Sequence, residues 1–267
     1  MMVNIISEIC EENIIDMLNQ NKRVDNRKFD EYREITIKTD YISKAEGSAM
    51  VSVGATTAIA GVKASLTTPF SNSPDEGIII TNTELLAIAN KNFEYGPPNK
   101  FAVEISRVVD RSIREAPLID LKELSIIDES TCWKLHIDIY ILDFDGNIMD
   151  AACLAAVCAL LTTKLPSVNT VNGEVNIDYD NLTKIPIKNK SILCSVAKLY
   201  DQLIVDPSAV EESLMDTGIS IAFREDGSIC AMQKSGFGSL TIEEVRNSIN
   251  IAYKKSRELF AIINKIE

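Results

Sequence analysis

Histidine is almost missing from this sequence: His136 is the only one in 267 residues. A zinc site built from several histidines is therefore excluded, and a Ser-His-Asp or Cys-His site would have to rest on that single ring. The six cysteines, at positions 10, 132, 153, 158, 194 and 230, include no C-x-x-C pair, and most lie inside apolar runs. That usage suits buried free thiols in a reducing compartment. No apolar stretch approaches the ~20 residues a membrane span needs; the longest, around residues 151–161, is about half that. The first residues carry acids where a secretory signal would carry bases, so the expectation is a cytoplasmic chain without membrane contact. Positive charge is in deficit too, with 27 Lys and Arg against 39 Asp and Glu, a net of −12. The surface as a whole cannot be a nonspecific polyanion binder, and any nucleic-acid contact must come from a local basic patch or from a surface shared with another subunit.

What is present is ordinary for a soluble globular protein: 46% hydrophobic and 25% charged residues, with room for one large domain or two small ones. No solenoid repeat, low-complexity tract or long linker appears. Ile5, Ile6, Ile9, Ile14, Met17 and Leu18 recur at helical spacing and predict an amphipathic helix over residues 4–20. Alternation predicts a strand over 33–38, and Val, Ile and Thr flanking Gly54 predict a hairpin from 48–53 and 57–64. A strand at 78–81, a helix at 84–90 and a second helix at 99–116 follow. Residues 132–142 predict a long strand with Trp133, Leu135, Ile137, Ile139 and Ile141 on one side, turned by Asp145-Gly146-Asn147. Residues 150–164 are apolar nearly all round, which marks a helix buried between layers. Strands at 191–199, 202–205, 219–223 and 229–233 lead to a capping box, Thr241 with Glu244, that opens the last helix. Strand runs interleaved with a few helices indicate an α+β fold dominated by antiparallel sheet.

Three of the nine arginines, Arg107, Arg111 and Arg114, fall within eight residues. On a helix they span an arc of about 60°, opposite the apolar face. Such a stripe suits a row of phosphates, since each guanidinium forks two donors to one anion; it equally suits a solvated face paired with Glu104, Asp110 and Glu115. Asp206, Glu211, Glu212 and Asp216 could hold magnesium or act as acid and base, although solvated loop acids describe them better. The loop 234–239 could cradle a phosphate with backbone amides or be a plain strand-to-helix turn. His136 is expected to be a packed, hydrogen-bonded residue.

Arg23-Val-Asp-Asn-Arg-Lys-Phe-Asp-Glu-Tyr-Arg33 resembles the R-x-D-G-R-x-x-D-E-x-R opening of RNase PH-like proteins, with Asn26 in place of glycine. Ala45-Glu-Gly-Ser-Ala49, Phe93-Glu-Tyr-Gly-Pro-Pro98, Ser106-Arg-Val-Val-Asp-Arg-Ser-Ile-Arg-Glu115, Leu142-Asp-Phe-Asp-Gly-Asn147, Val205-Asp-Pro207, Glu211-Glu-Ser-Leu-Met-Asp216 and Gln233-Lys-Ser-Gly236 narrow the match. They resemble the non-catalytic RNase PH-like subunits of the archaeal exosome ring, and they run in order over residues 23–236. The resemblance implies one RNase PH-like α+β domain over 1–267, built from two merged βαβ-like halves, with helices at 1–22 and 240–267. It implies a hexameric ring in which three such subunits alternate with three copies of a catalytic paralogue, capped by RNA-binding subunits, degrading single-stranded RNA phosphorolytically from the 3′ end.

The same resemblance implies no catalytic residue, no metal and no cofactor here. Phe101 stands where the active paralogue has a phosphate-binding arginine. The turn at 145–149 stands where it has a Gly/Ser-rich phosphate loop. Glu212 and Asp216 depart from its carboxylate spacing. Arg107 and Arg111 match the positions through which this branch contacts RNA phosphates, with Arg114 in the same motif. The alternatives are an autonomous phosphorolytic ribonuclease and a carboxylate-metal hydrolase using Asp206, Glu212 and Asp216.

Overall fold

A computed structural model describes residues 12–127, 129–171 and 174–266. The N-terminal helix is helical over 12–19 (α1), and Ile14 and Leu18 of the expected stripe are buried; residues 4–11 of that expectation lie outside the described residues, as does Cys10. Strands β1 (Ile35–Thr39), β2 (Gly47–Val53), β3 (Thr56–Thr67), β4 (Ile78–Leu85) and β6 (Thr131–Asp143) form one sheet in the order β1-β2-β3-β6-β4, with the short β5 (Ser125–Ile127) also paired to β6. All neighbours are antiparallel except β4 with β6. Helix α2 (Lys100–Arg114) lies between those two parallel strands in the chain and packs on β4, a βαβ crossover.

Helix α3 (Ile148–Thr162) is followed by the hairpin β7 (Lys164–Val171) and β8 (Glu174–Lys184). A second antiparallel sheet, in the order β10-β9-β11-β12, comprises β9 (Ser191–Leu199), β10 (Gln202–Val205), β11 (Thr217–Arg224) and β12 (Ile229–Gly236). The short α4 (Ala209–Ser213) joins β10 to β11, and α5 (Ile242–Ile263) covers β9 and β11.

The centre of the molecule is α3, which packs against β2 and β3 on one side and β9 on the other. Every residue from Ile148 to Leu161 is buried except Met149. Alanines and cysteines let two sheets close on one helix from both sides. Gly47 of β2 marks the closest approach, since a Cβ there would collide with the Ala159 carbonyl and with Thr163. One contiguous apolar core therefore runs through both sheets, and α1 adds a small cluster against β9 and β10. On β6 the residues Trp133, Leu135, Ile137, Ile139 and Ile141 are all buried, as their alternation requires.

Two expectations fail. Residues 84–90 form no helix: β4 continues to Leu85, held by parallel pairing with β6, and turns follow. Tertiary pairing of the run Ile78-Ile79-Ile80-Thr81 overrides the local helical pattern. The hairpin β7–β8 is absent from the expected elements, although Val175, Ile177 and Tyr179 alternate with polar residues along β8; Tyr179 and Leu182 stand exposed on it. His136 is half-buried on the solvent side of β6, opposite Lys63, with no hydrogen bond among the described residues, so the expected bond to its ring is not made.

Candidate functional site

Helix α2 starts where Pro97-Pro98 halts the chain and the Asn99 side chain accepts from the Ala102 N–H. Ile105, Val108, Val109 and Ile113 face the core, so Arg107, Arg111 and Arg114 are all turned outward and exposed. Their fates differ. Arg114 donates to Asp110 Oδ1 at 2.9 Å and to the Ile79 carbonyl at 3.4 Å. Arg107 and Arg111 have no ion pair or hydrogen bond among the described residues. Glu104 and Glu115, the other expected partners, do not engage the stripe's guanidinium groups; Glu115 instead lends its carbonyl to Arg224. Arg107 and Arg111 line a groove of about 330 Å³ together with Lys100, Glu104 and, across from the helix, Gln233 of β12. Like charges one helical turn apart weaken a helix, and Lys100 puts a cation at its positive end. Arg111 and Arg114 stand in the last turn, where the helix dipole favours a cation, so helix stability accounts for Arg111 but not for Lys100.

A second recess lies at the start of α3, beneath the segment joining β10 to β11. Phe101, Met149 and Met215 line it with Glu212, Ser195 and Ser220, and its free volume is only about 50 Å³. That space holds a few waters and no nucleotide. Glu212 Oε2 accepts from the Asn147 N–H at 2.9 Å, and burial pushes its carboxyl above the ordinary value despite that bond. Asp216 is exposed and takes no part in the lining. Asp150, at the base, is fully buried; its carboxylate accepts from the Tyr32 hydroxyl at 2.6 Å, the Ser195 hydroxyl at 2.8 Å and the Asn147 side-chain amide at 3.0 Å. Burial outweighs those bonds and pushes its carboxyl up to about 6.

The reading of Asp206 and Glu211 as solvated loop acids is overturned. Both are buried, and arginines of the first motif hold them. Arg23 clamps Glu211 with two hydrogen bonds, at 2.9 and 2.6 Å, and also donates to the carbonyls of Val205 and Asp206. Arg33 forks to both oxygens of Asp206, at 2.8 and 2.7 Å, and reaches Asp145 in the β6–α3 turn; Arg27 adds a third bond to Asp206 at 3.0 Å. Burial alone would raise both carboxyls, but Arg33 brings Asp206, and Arg23 brings Glu211, below the ordinary range. Asn147 sits at φ +52° because its side chain bridges Asp150 and Asp206 instead of capping α3. Among the described residues no group of three or more His, Cys, Asp or Glu side chains is placed to hold a metal. The turn at 234–239 is a tight one: Gly236 is at φ +76°, and the Gly238 N–H donates to the Asp216 carbonyl. Charge alternation in the motif at 23–33 was the available signal for the buried cluster, but nothing local says which acids the arginines meet.

Two models of the 3′ exoribonuclease family match this chain, domain 1 over residues 31–166 and domain 2 over 191–255. The chain belongs to the RNase PH family. Similar curated proteins include the exosome complex component Rrp42 of Methanothermobacter thermautotrophicus, 45% identical over 98% of this chain and 97% of the relative. The Rrp42 component of Thermococcus gammatolerans is 43% identical over 98% and 96%. Among solved structures, this RNase PH family member superimposes on a chain of the Archaeoglobus fulgidus exosome with RNA bound to the active site. The TM-score is 0.89 at 36% identity, covering 96% of this chain and 98% of that one. An archaeal exosome core chain gives a TM-score of 0.87 at 33% identity, covering 99% of this chain and all of the other.

Proposed function

We propose that this chain is a non-catalytic subunit of a hexameric exosome ring that degrades single-stranded RNA phosphorolytically from the 3′ end. In this reading three copies alternate with a catalytic RNase PH-like paralogue under RNA-binding cap subunits, and the whole chain, 1–267, acts as one domain. The relatives named exosome complex component Rrp42 support the assembly. The observation that carries the division of labour is a contrast between a groove lined by two arginines unpaired among the described residues and a small recess lined by Phe101, Met149 and Met215. Arg107 and Arg111 each contact an RNA phosphate, one helical turn (about 6 Å) apart, a step comparable with that between neighbouring phosphates of a single strand. Arg114, tied to Asp110, extends the same positive field. No residue here acts as nucleophile, acid or base, and no cofactor or metal is required of this subunit. Exposed Ile88, Tyr95, Phe237 and Ile242 suit a chain that buries more surface on assembly.

The test uses reconstituted rings. Glu212→Gln with Asp216→Asn should leave phosphate-dependent release of nucleoside diphosphates nearly unchanged, and an inactive ring with normal RNA binding would overturn the non-catalytic role. Arg107→Ala with Arg111→Ala should lower RNA affinity about tenfold or more. The slope of log affinity against log salt should become shallower by about 0.7 per lost contact. Unchanged binding would return the stripe to a solvated face.

A further inference from the structure

The groove beside α2 has two unlike walls. On the helix, Lys100, Arg107 and Arg111 fall within an arc of about 40°, and the carboxylate of Glu104 interrupts the row between Lys100 and Arg107. A phosphate is repelled there, so the place for two successive phosphates is the Arg107–Arg111 turn. The opposite wall contributes one polar side chain, Gln233, from β12. Its Nε2 donates to the Lys234 carbonyl at 3.1 Å, which holds the amide in place. Oε1 has no donor among the described residues and is left as an acceptor on a residue that lines the groove. A phosphate has no proton to give to Oε1; that oxygen serves a hydroxyl or amine carried by the same strand.

We infer that Gln233 reads the ribose 2′-hydroxyl of the strand whose phosphates lie on Arg107 and Arg111, the hydroxyl donating to Oε1, so that this groove distinguishes RNA from DNA. The inference rests on the phosphate role proposed for the arginines and adds the sugar. The 2′-hydroxyl sits on every nucleotide next to the phosphate, so one acceptor at a fixed distance from two phosphates recognises it whatever the base. Gln233 is half-buried on an edge strand, where truncation disturbs little else.

The experiment is a fluorescence anisotropy titration of the full chain, alone and co-purified with its ring partner, without phosphate. The probes are a labelled oligoribonucleotide and the deoxy oligonucleotide of the same sequence, with thymine in place of uracil. Gln233→Ala and the size-matched Gln233→Met should each lower affinity for RNA about three- to tenfold and leave affinity for DNA unchanged. Arg107→Ala with Arg111→Ala should lower both. Equal losses on RNA and DNA, or none, with the Gln233 variants while the arginine variant weakens both would overturn the sugar contact and leave the phosphate contacts standing. No effect from any variant would overturn both. A loss that follows the identity of one base, absent when that base is exchanged, would also overturn the inference, because it would assign Oε1 to a base amine.

Discussion

Arg23 is buried and Arg33 half-buried, and they meet Glu211 and Asp206 at 2.6–2.9 Å, whereas Arg107 and Arg111 are exposed and meet no carboxylate among the described residues. The first pair ties the N-terminal segment to the β6–α3 turn and to the acids before and within α4, so both partners lose water and each depends on the other. The second pair keeps its solvation and its unspent hydrogen-bonding capacity, which the proposed RNA contact would use. Arginine therefore stands in two environments in one chain, and whether a carboxylate was brought to it by the fold decides which.

The contrast breaks most sharply in stability. Arg23→Ala strands the Glu211 carboxylate in the interior, and removing one partner of a buried pair costs about 3–5 kcal/mol. Urea denaturation should show that loss or yield no folded protein, and a midpoint equal to wild type would refute the structural role of the cluster. The next effect is a pH dependence. The Asp150 carboxyl titrates near 3.8 when unfolded and at about 6 in the folded chain, so the native state binds more protons between those values. Its contribution to stability therefore falls as pH rises through 6, by at most about 3 kcal/mol. Glu212 is pushed in the same direction, while Asp206 and Glu211, held low, stay ionised at pH 5. The wild type should gain stability from pH 7 to pH 5, and Asp150→Asn should remove most of that gain while lowering the midpoint at both values. Equal midpoints for the wild type at the two pH values would contradict this. The smallest change is expected at the exposed pair: Arg107→Ala with Arg111→Ala should shift stability by no more than about 0.5 kcal/mol. A larger loss would mean that the stripe belongs to the fold.

Periodicity alone located α2, α3, β6 and the second sheet, because each has one consistent burial environment along its length and its side chains repeat accordingly. The capping box at Thr241 and Glu244 forms as its spacing predicts. Residues 84–90 were misread because their short helical pattern competes with a parallel pairing to β6 that no local window contains. The family motifs pointed to Arg107 and Arg111, and the outward turn of the stripe follows from the apolar face opposite it. That Arg114 pairs with Asp110 agrees with their i,i+4 spacing, whereas Arg111, next to Asp110 in the chain, points away from it; Arg107, three residues before Asp110, is also within reach, and side-chain geometry decides between it and Arg114.

The amino-acid order by itself determined the α+β class, the buried central helix and the outward arginine stripe. Each depends on which residue types recur at 2.0 or 3.6 spacing. Only the tertiary structure decided that Asp206 and Glu211 are buried partners of Arg33 and Arg23, 173 and 188 residues away, and that Gln233 faces Arg107 and Arg111 across a groove. Those relations join elements distant in the chain, and desolvation acts only once both sheets have closed on α3.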